Sequence, residues 1–363
     1  MTANNVSLSP APRYRPSLSL QGKLKPYFGS PGNSIITLGC VLVIAWAFRH
    51  VIDWLLLDAV FTGTPATCQK ESGACWPFLV AKLRFMLFGF YPFQEQWRPL
   101  LCLFLFFGTC AAAMTPALWG RRLVLGAVFA CAIIFWLMLG GSAGLSYVPT
   151  SKWGGLPLSF MLCVVGLVCA FPLGVLLALA RASQLPAIRV LSVVFIELVR
   201  GVPLISILFM ASVMLPLFLP SGLNIDNLLR AQVAIVLFAA AYIAEVVRGG
   251  LQALPKGQAE AASAMGLHYW QTMRLIVLPQ ALKIVIPPLV SLFIGFFQDT
   301  TLVTIVGLLD FLDTVRAAMR DPQWQGIAVL EGYVFAAVVY LIFSAIMGAY
   351  SRFLERRFRV GHD

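Results

Sequence analysis

Long runs of apolar residues recur along the whole chain. Each run has roughly 20 residues, the length that an α-helix needs to cross the hydrocarbon core of a bilayer. The runs are continuously apolar and do not alternate with polar residues, so they do not fit the strands of a membrane β-barrel. We therefore predict an all-α, polytopic membrane protein with about eight transmembrane helices. The predicted spans cover residues 34–57, 99–119, 123–140, 156–180, 188–219, 231–247, 275–297 and 330–350.

The fifth run is too long for one straight crossing, because an α-helix rises about 1.5 Å per residue. It contains Gly201, Pro203 and Pro216. Proline removes a backbone donor and clashes with the preceding turn, so we expect this span to be broken or kinked.

The composition agrees with a membrane protein. The 363 residues are 60% hydrophobic and 11% charged, whereas soluble domains carry about a quarter charged residues. The net charge of +11 is typical of Lys and Arg collected at cytoplasmic helix ends. No basic patch with interleaved aromatic residues lies outside the predicted spans, which argues against nucleic-acid binding.

The distribution of basic residues predicts that both termini are cytoplasmic. Residues 1–33 are polar, contain four basic residues and no acidic residue, and resemble a cytoplasmic tail more than a signal peptide. With this tail inside, the loops richest in Lys and Arg fall inside and the loops richest in Asp fall outside. The predicted periplasmic loop, residues 58–98, does not follow the rule, since it holds Lys70, Lys82, Arg84 and Arg98.

Polar content divides the membrane region into two parts. Residues 34–150 form three spans with little polar content, whereas residues 151–355 carry Glu, Arg, Gln and Asp within or beside five spans. Ionisable groups in a membrane are costly and usually face a cavity or a partner. We therefore expect the second part to be the working core, with residues 356–363 as a cytoplasmic C-terminus.

The polar loop between the sixth and seventh spans, residues 249–274, has the clearest local pattern. Residues 258–265 are good helix formers, and Gly266 is a natural left-handed stop for that helix. A second short helix can begin near Tyr269, and Pro279 either kinks it or sets the angle at which it joins the seventh span. We expect a helix, a glycine turn and a second helix, which we call the elbow, on the cytoplasmic side.

The outer surface of the elbow suits a soluble partner. Ala261, Ala262 and Ala264 predict a low-relief surface, and Glu260 is available for a charged contact. An ordinary amphipathic loop helix is the alternative, and the spacing alone does not separate the two interpretations.

The full pattern resembles the coupling loop of ABC importer permeases. Glu260-Ala-Ala is followed after three residues by Gly266 and after nine more by Ile276-x-Leu278-Pro279. Further stretches are similar to the polar amino-acid subfamily, which includes histidine, glutamine and general L-amino-acid permeases. They are residues 197–203, 241–250, 254–258 and 298–303.

This resemblance covers residues 156–355, where the family has a five-span core. The three preceding spans resemble those of the larger, M-type permease subunit of general L-amino-acid transporters. The resemblance implies the permease subunit of a binding-protein-dependent ABC importer in the bacterial inner membrane, translocating L-amino acids of polar or broad range. It assigns ATPase coupling to Glu260, Ala261, Ala262, Gly266, Ile276, Leu278 and Pro279.

The family also implies partners. They are a homologous second permease subunit, two ATP-binding cassette subunits and a periplasmic amino-acid-binding protein. The chain has no phosphate loop, since Gly22-Lys23 lacks the earlier glycine and the following Ser or Thr. It also has no metal-site spacing and no catalytic constellation, so we expect it to be no enzyme and to hold no cofactor, with ATP and Mg on the partner ATPase.

Amino acids are zwitterions, so a path for them needs groups of both signs and exposed backbone dipoles. One candidate is Arg200-Gly201-Val202-Pro203 with Glu197, and another is Gln298-Asp299-Thr300. The alternative is structural: Glu197 pairs with Arg200, Arg248 anchors at the headgroups and Asp299 caps a helix.

Cys68 and Cys75 enclose a short polar segment of the predicted periplasmic loop. That compartment permits disulfides, so the two cysteines are candidates for a bond.

The competing interpretation is an amino-acid transporter driven by an ion gradient. Such a protein needs coupling-ion ligands and usually paired broken helices in two related halves, but only one span is strongly broken. A membrane scaffold would not need the polar core and elbow, and a membrane enzyme would need catalytic residues.

Overall fold

The computed structural model describes residues 24, 26–118, 120–220, 222 and 224–359, and these are mostly helical. The predicted tail therefore lies largely outside the described residues, as do residues 360–363 of the predicted C-terminus. The chain forms two compact units, Met1–Cys75 and Trp76–Asp363, and each is described by itself.

The described residues of the first unit form a long helix, α1, at Pro31–Ile52. The Ser30 side chain accepts a hydrogen bond from the Asn33 backbone N–H at 3.2 Å, and Pro31 occupies the first helical turn, as helix starts favour. A π-helical turn, Asp53–Leu57, and a one-turn helix, Pro65–Cys68, follow. A disulfide joins Cys68 to Cys75.

The second unit consists of helices with short connections. Its helices are α2 Trp76–Phe88, α3 Trp97–Met114, α4 Arg121–Leu139, α5 Gly155–Arg181, α6 Pro186–Gly201, α7 Leu204–Phe218, α8 Asn227–Ala253, α9 Gly257–Ala264, α10 Tyr269–Thr272, α11 Leu278–Ile284, α12 Ile286–Asp299, α13 Phe311–Met319 and α14 Val329–Arg359. Met210–Met214 within α7 and Met273–Val277 between α10 and α11 are π-helical. The 3-10 turns are Phe93–Glu95, Pro116–Leu118, Thr150–Lys152 and Thr300–Val306, and the two-residue strand Leu309–Asp310 bridges Gly154 and Gly155.

Seven helical segments among the described residues are long and apolar enough to cross a membrane, and the bent pair α6 and α7 makes an eighth. This agrees with the predicted number of spans. The predicted start of the seventh span at residue 275 is wrong, because the spanning segment is Ile286–Val306. Pro287 has no N–H to donate to the preceding turn, so the helix is interrupted between α11 and α12.

The centre of the second unit is the pair α5 and α8, which pack along much of their length. Two glycines on α5 make this close approach feasible. A Cβ at Gly166 would lie 2.9 Å from Ile235 Cγ2, and a Cβ at Gly174 would lie 2.6 Å from Ile243 Cγ2. Small residues at such positions let membrane helices pack closely by van der Waals contact.

The predicted loop 58–98 contains a helix that the sequence did not predict. Helix α2 has 13 residues and packs against α5 and α13. It is too short to be recognised as a span. The second compact unit therefore begins at Trp76, whereas the sequence placed its division near residue 150.

Three basic residues of the same predicted loop have structural partners. Lys82 pairs with Asp321 at 2.6 Å. Arg84 donates from Nε to the Gln96 side-chain oxygen at 3.0 Å. Arg98 is fully buried and donates to the backbone carbonyls of Leu137, at 2.7 Å, and Ser146, at 2.9 Å. These contacts give Lys82, Arg84 and Arg98 structural roles in a loop that departs from the charge rule.

Candidate functional site

Helix α9 begins the elbow and ends in a glycine turn, after which the second helix, α10, follows. Gly266 has a φ of +79°, the left-handed conformation that was predicted for it. The Leu267 N–H donates to the Ala262 carbonyl at 3.1 Å, and the Gly266 N–H donates to the Ser263 carbonyl at 3.0 Å. This pair of bonds is a Schellman motif, which satisfies carbonyls at the helix end and requires a residue that tolerates positive φ.

The outer surface of α9 differs from the prediction in one residue. Ala262 is only 2% exposed, so it belongs to the packed side of the helix and not to the surface available to a partner. Glu260, Ala261 and Ala264 are exposed, as expected. The reason is helical periodicity, because neighbouring residues point in different directions.

The surface of the elbow also exposes two large apolar side chains that were not predicted to belong to it. Met265 is 79% exposed and Trp270 is 66% exposed, directly after α9 and at the start of α10. Large apolar side chains exposed on a polar loop are typical of a binding surface. The sequence could have indicated this surface, because Met265 and Trp270 are large apolar residues on either side of the glycine turn in a polar loop.

The elbow joins the membrane region through an irregular helical segment. After α10 the chain forms the π-helical turn Met273–Val277 and then α11, with Pro279 in its first turn. The Gln280 side-chain amide donates to the Ile276 carbonyl at 2.9 Å. Ile276 and Leu278 are half-buried and Pro279 is exposed, so the end of the signature forms the junction between elbow and span.

An ionic cluster lies where the ends of α5, α6 and α8 meet. Arg181 contacts Glu197 at 2.8 Å and Glu245 at 3.5 Å. Arg200 contacts Glu245 at 3.6 Å, and Arg248 donates from Nε to Glu245 at 2.9 Å. Glu245 is therefore the centre of the cluster, with three arginines around one carboxylate.

The contacts in the cluster differ from the structural alternative in which Glu197 pairs with Arg200. Within the described part of the chain, no ion pair joins Glu197 to Arg200; each binds a partner on another helix. Arg248 binds Glu245 one turn before it. Glu245 was not among the predicted site residues, although its spacing of three residues from Arg248 on a predicted helix indicates a pair.

The predicted break in the fifth span is a sharp bend. Helices α6 and α7 meet at 102°. Gly201 ends α6, Val202 is extended at φ −109° and ψ 133°, and Pro203 precedes α7. Gly201 has open space where a Cβ would lie, so the bend itself does not require glycine at this position.

The second candidate path segment lies at the end of α12. Gln298 is exposed, Asp299 is half-buried and Thr300 is buried. The Asp299 side chain makes no cap hydrogen bond to the 3-10 turn Thr300–Val306, so the expected capping role is wrong. The first residues of α7 pack against this turn, which brings the arm after the bend next to the second candidate segment.

The fold and these sites define a polytopic helical membrane protein of the transport class, with a polar elbow between two spans. Comparison with known proteins narrows the class. Residues 170–360 match the model of the family described as binding-protein-dependent transport system inner membrane component. The chain belongs to this family and is a multi-pass, inner-membrane component of a transport system.

Two relatives resemble the chain over most of its length. The inner membrane amino-acid ABC transporter permease protein YhdY of Escherichia coli is 46% identical over 98% of both chains. The glutamate/glutamine/aspartate/asparagine transport system permease protein BztC of Rhodobacter capsulatus is 37% identical over 92% of both. The similarity thus includes the spans that precede the core.

A solved structure, described as the crystal structure of an amino acid ABC transporter with histidines, is 27% identical. It has a TM-score of 0.50 and covers 56% of this chain and 92% of that chain. These matches leave the alternative of an ion-gradient-driven transporter without support.

Proposed function

We propose that this chain is a permease subunit of a bacterial ABC importer that translocates L-amino acids. The observation that carries the proposal is the elbow, in which the signature from Glu260 to Pro279 folds into helix α9, a glycine turn, the short helix α10, a π-helical turn and the start of α11. The names and near full-length similarity of YhdY and BztC support amino acids as the substrate class.

The proposal includes partners and an orientation. A homologous second permease subunit completes the membrane part, two ATPase subunits bind ATP and Mg in the cytoplasm, and a periplasmic protein delivers the amino acid. Both termini and the elbow lie in the cytoplasm, and this chain itself holds no cofactor and catalyses no reaction. The arginines near the elbow support this orientation, since Lys and Arg are enriched in cytoplasmic loops.

The elbow would couple the ATPase to the membrane helices as follows. The ATPase would bind Glu260, Ala261 and the apolar side chains of Met265 and Trp270. Helix α9 would then move as a unit, because the Schellman hydrogen bonds fix its C-terminal end. On one side α9 is joined to α8, which packs on α5. On the other side α10 and the π-helical turn lead to α11 and α12.

The ionic cluster and the bend are the proposed route for substrate. Glu197 and Arg200 supply both signs of charge, and the interruption at Gly201 and Pro203 exposes backbone groups, as a zwitterion needs. Gln298, Asp299 and Thr300 extend this route from the turn against which α7 packs. Glu245 and Arg248 join the route through their contacts in the cluster.

The test is uptake in proteoliposomes that contain the whole complex. We expect uptake to require ATP on the ATPase side and binding protein on the other side. Uptake driven by an ion gradient without ATP would overturn the proposal.

Glu260→Lys should leave membrane insertion intact but abolish ATPase association, since it reverses the charge at the exposed contact. Glu71→Lys is the matched control, because Glu71 is also an exposed acidic residue but lies outside the elbow. Normal ATP-dependent uptake in the Glu260→Lys complex would remove the elbow from the mechanism.

A further inference from the structure

A cavity of about 540 Å³ lies between the elbow and the helices that it is expected to drive. Its walls come from the end of α5, the end of α8, and the elbow itself from α9 to the π-helical turn. A volume of this size is within the usual range for small-ligand sites, about 300–1,000 Å³. The proposed function does not use this cavity.

The polar part of the cavity wall is cationic. Arg181, Arg248 and Lys256 line it. The carboxylates that reach these arginines are Glu197 and Glu245, and Arg200 also binds Glu245. The three cationic side chains of the wall thus outnumber these two carboxylates, and Lys256 is exposed. The excess of positive charge favours an anion in the cavity.

The rest of the wall is mainly apolar. The cavity is lined by Leu179, Leu251, Met273 and Val277, as well as by the exposed ring of Tyr269. Arg181 is the last residue of the spanning helix α5, and Arg248 lies in the last turns of α8. A cationic end beside an apolar wall, at the end of membrane spans, matches the interface where lipid headgroups meet acyl chains.

We propose that this cavity binds the phosphate group of an anionic phospholipid. Basic pockets between transmembrane helices on the cytoplasmic side are suited to anionic headgroups. Lys256 and the two arginines would contact the phosphate oxygens, while the apolar wall would contact the glycerol backbone and the first part of an acyl chain. Free phosphate carries the same anionic chemistry, and the experiment below separates the two sources.

A bound phosphate group would restrain the elbow. Gln258 and Ala259 of α9 line one side of the cavity, and Met273 and Val277 of the π-helical turn line another. An occupant therefore touches the helix that the ATPase is proposed to grip and the segment that leads to α11. Because it bridges the two, it would make the elbow stiffer and its movement more closely tied to α5 and α8.

The lipid site itself does not depend on the proposed function. Only its placement in the cytoplasmic leaflet and its effect on ATPase coupling rest on that function. The experiment uses the full chain in nanodiscs of phosphatidylcholine, with or without phosphatidylglycerol. The first measurement is the phosphatidylglycerol retained per chain after extraction, by native mass spectrometry. The second is hydrogen exchange of residues 256–277, also with inorganic phosphate added to phosphatidylcholine nanodiscs.

The main variant is Lys256→Gln, because Lys256 lies outside the ionic cluster. Arg181→Gln is the second variant, and Arg274→Gln is the control, since Arg274 is an exposed basic residue of the same loop that does not line the cavity. One basic residue near a membrane surface changes anionic-lipid binding about fivefold. We expect Lys256→Gln to lower retention by about that factor and Arg274→Gln to leave it unchanged.

Protection of residues 256–277 by phosphatidylglycerol supports the lipid as the source of the anion. Protection by inorganic phosphate alone supports the anion site with free phosphate as its source. Equal retention by wild type and Lys256→Gln together with no protection by inorganic phosphate, or an equal loss in Arg274→Gln, would overturn the site. These measurements need no ATP and no partner, so failure of the lipid site is distinguishable from failure of the proposed transport function.

Discussion

The Nζ atom of Lys82 lies 2.6 Å from the Oδ2 atom of Asp321, a residue 239 positions further along the chain. A second contact joins the same two regions, because Thr314 Oγ1 donates to the Met86 carbonyl at 2.6 Å. Helix α2 is therefore attached to α13 and the turn after it by an ion pair and a buried hydrogen bond. The segment that precedes the predicted core is structurally part of it.

The Lys82–Asp321 pair should make a small, pH-dependent contribution to stability. The hydrogen bond from Lys82 lowers the pKa of Asp321 below its ordinary value of 3.8, so the folded state favours the carboxylate. The contribution is present above that ordinary pKa and is lost as the pH falls through the lower folded pKa. Asp321→Asn should cost about 0.5 kcal/mol at pH 7, since the pair is partly exposed.

The measurement is thermal unfolding of the purified chain at pH 7 and below pH 3.8. The difference between wild type and Asp321→Asn should shrink at the lower pH and in about 1 M salt, where screening acts within about 3 Å. Asp58→Asn serves as an exposed control outside the second unit. A difference that persists under acid would contradict the ion-pair explanation.

Asp310 should have the opposite pH dependence. It is fully buried, and burial raises its pKa from 3.8 to about 6, although the N–H groups of Leu312 and Asp313 partly offset this effect. Its stabilising contribution is complete below pH 3.8 and is lost as the pH rises through about 6. The loss is at most about 3 kcal/mol, from a shift of about two pKa units.

Asp310→Asn removes the charge and keeps a side chain that can cap α13. We expect the variant to gain stability relative to wild type between pH 4 and pH 7, as measured by thermal unfolding across that range. A constant difference at every pH would show that ionisation of Asp310 does not oppose folding.

Gly266→Ala should weaken ATPase association without preventing insertion. Open space surrounds the position of a Cβ, so the cost comes from the positive φ of +79° and is about 1 kcal/mol. Gly266→Asn should be milder, since asparagine tolerates the left-handed region. Gly257→Ala is the control, because it adds the same methyl group in open space elsewhere in the loop. Co-purification with the ATPase measures how strongly each variant associates. Equal association of all three variants would show that ATPase binding does not depend on the conformation of the turn.

Glu245→Gln should destabilise the chain more than Glu197→Gln. Glu245 contacts three arginines, so its loss leaves their charges close together without the central carboxylate. Its bonds to charged donors suggest a cost of about 2 kcal/mol. Glu197 contacts Arg181 alone in the cluster and its side chain is 52% exposed, so its replacement should cost below about 1 kcal/mol. Thermal unfolding of the two variants measures these losses of stability. A larger loss in Glu197→Gln than in Glu245→Gln would show that Glu245 is not the centre of the ionic cluster.

The Cys68–Cys75 bond should protect two thiols from alkylation. Mass spectrometry of the peptide that contains both residues should show two added alkyl groups only after reduction. Cys40 of the same unit is free but lies within a membrane span, so the alkylation is done on the denatured chain. There Cys40 should react without reductant, and it serves as the internal control. Free reaction of both Cys68 and Cys75 before reduction would exclude the bond.

The sequence was sufficient for features that depend on neighbouring residues. The spans follow from continuous apolar runs, and the bend between α6 and α7 follows from Pro203. The glycine turn follows from Gly266 after a run of helix formers. In each case the cause lies within a few residues of the effect, so local chemistry predicts the structure.

Contacts between distant segments were not predictable in the same way. Helix α2 is too short to be recognised as a span, and its partners on α13 come more than two hundred residues later. Arg98 was counted as an ordinary loop charge, but the carbonyls that it binds belong to Leu137 and Ser146. The sequence contains both partners of each contact, whereas only the folded chain shows which residues meet.

The glycines of α5 and the isoleucines of α8 also limit how this permease can open. Gly166 and Gly174 are eight residues apart, as are Ile235 and Ile243, so the two contacts have the same spacing. Sliding one helix along the other would press the isoleucine side chains into positions that already carry a Cβ. These contacts oppose sliding of α5 along α8, so we expect a gate to form at other helix boundaries.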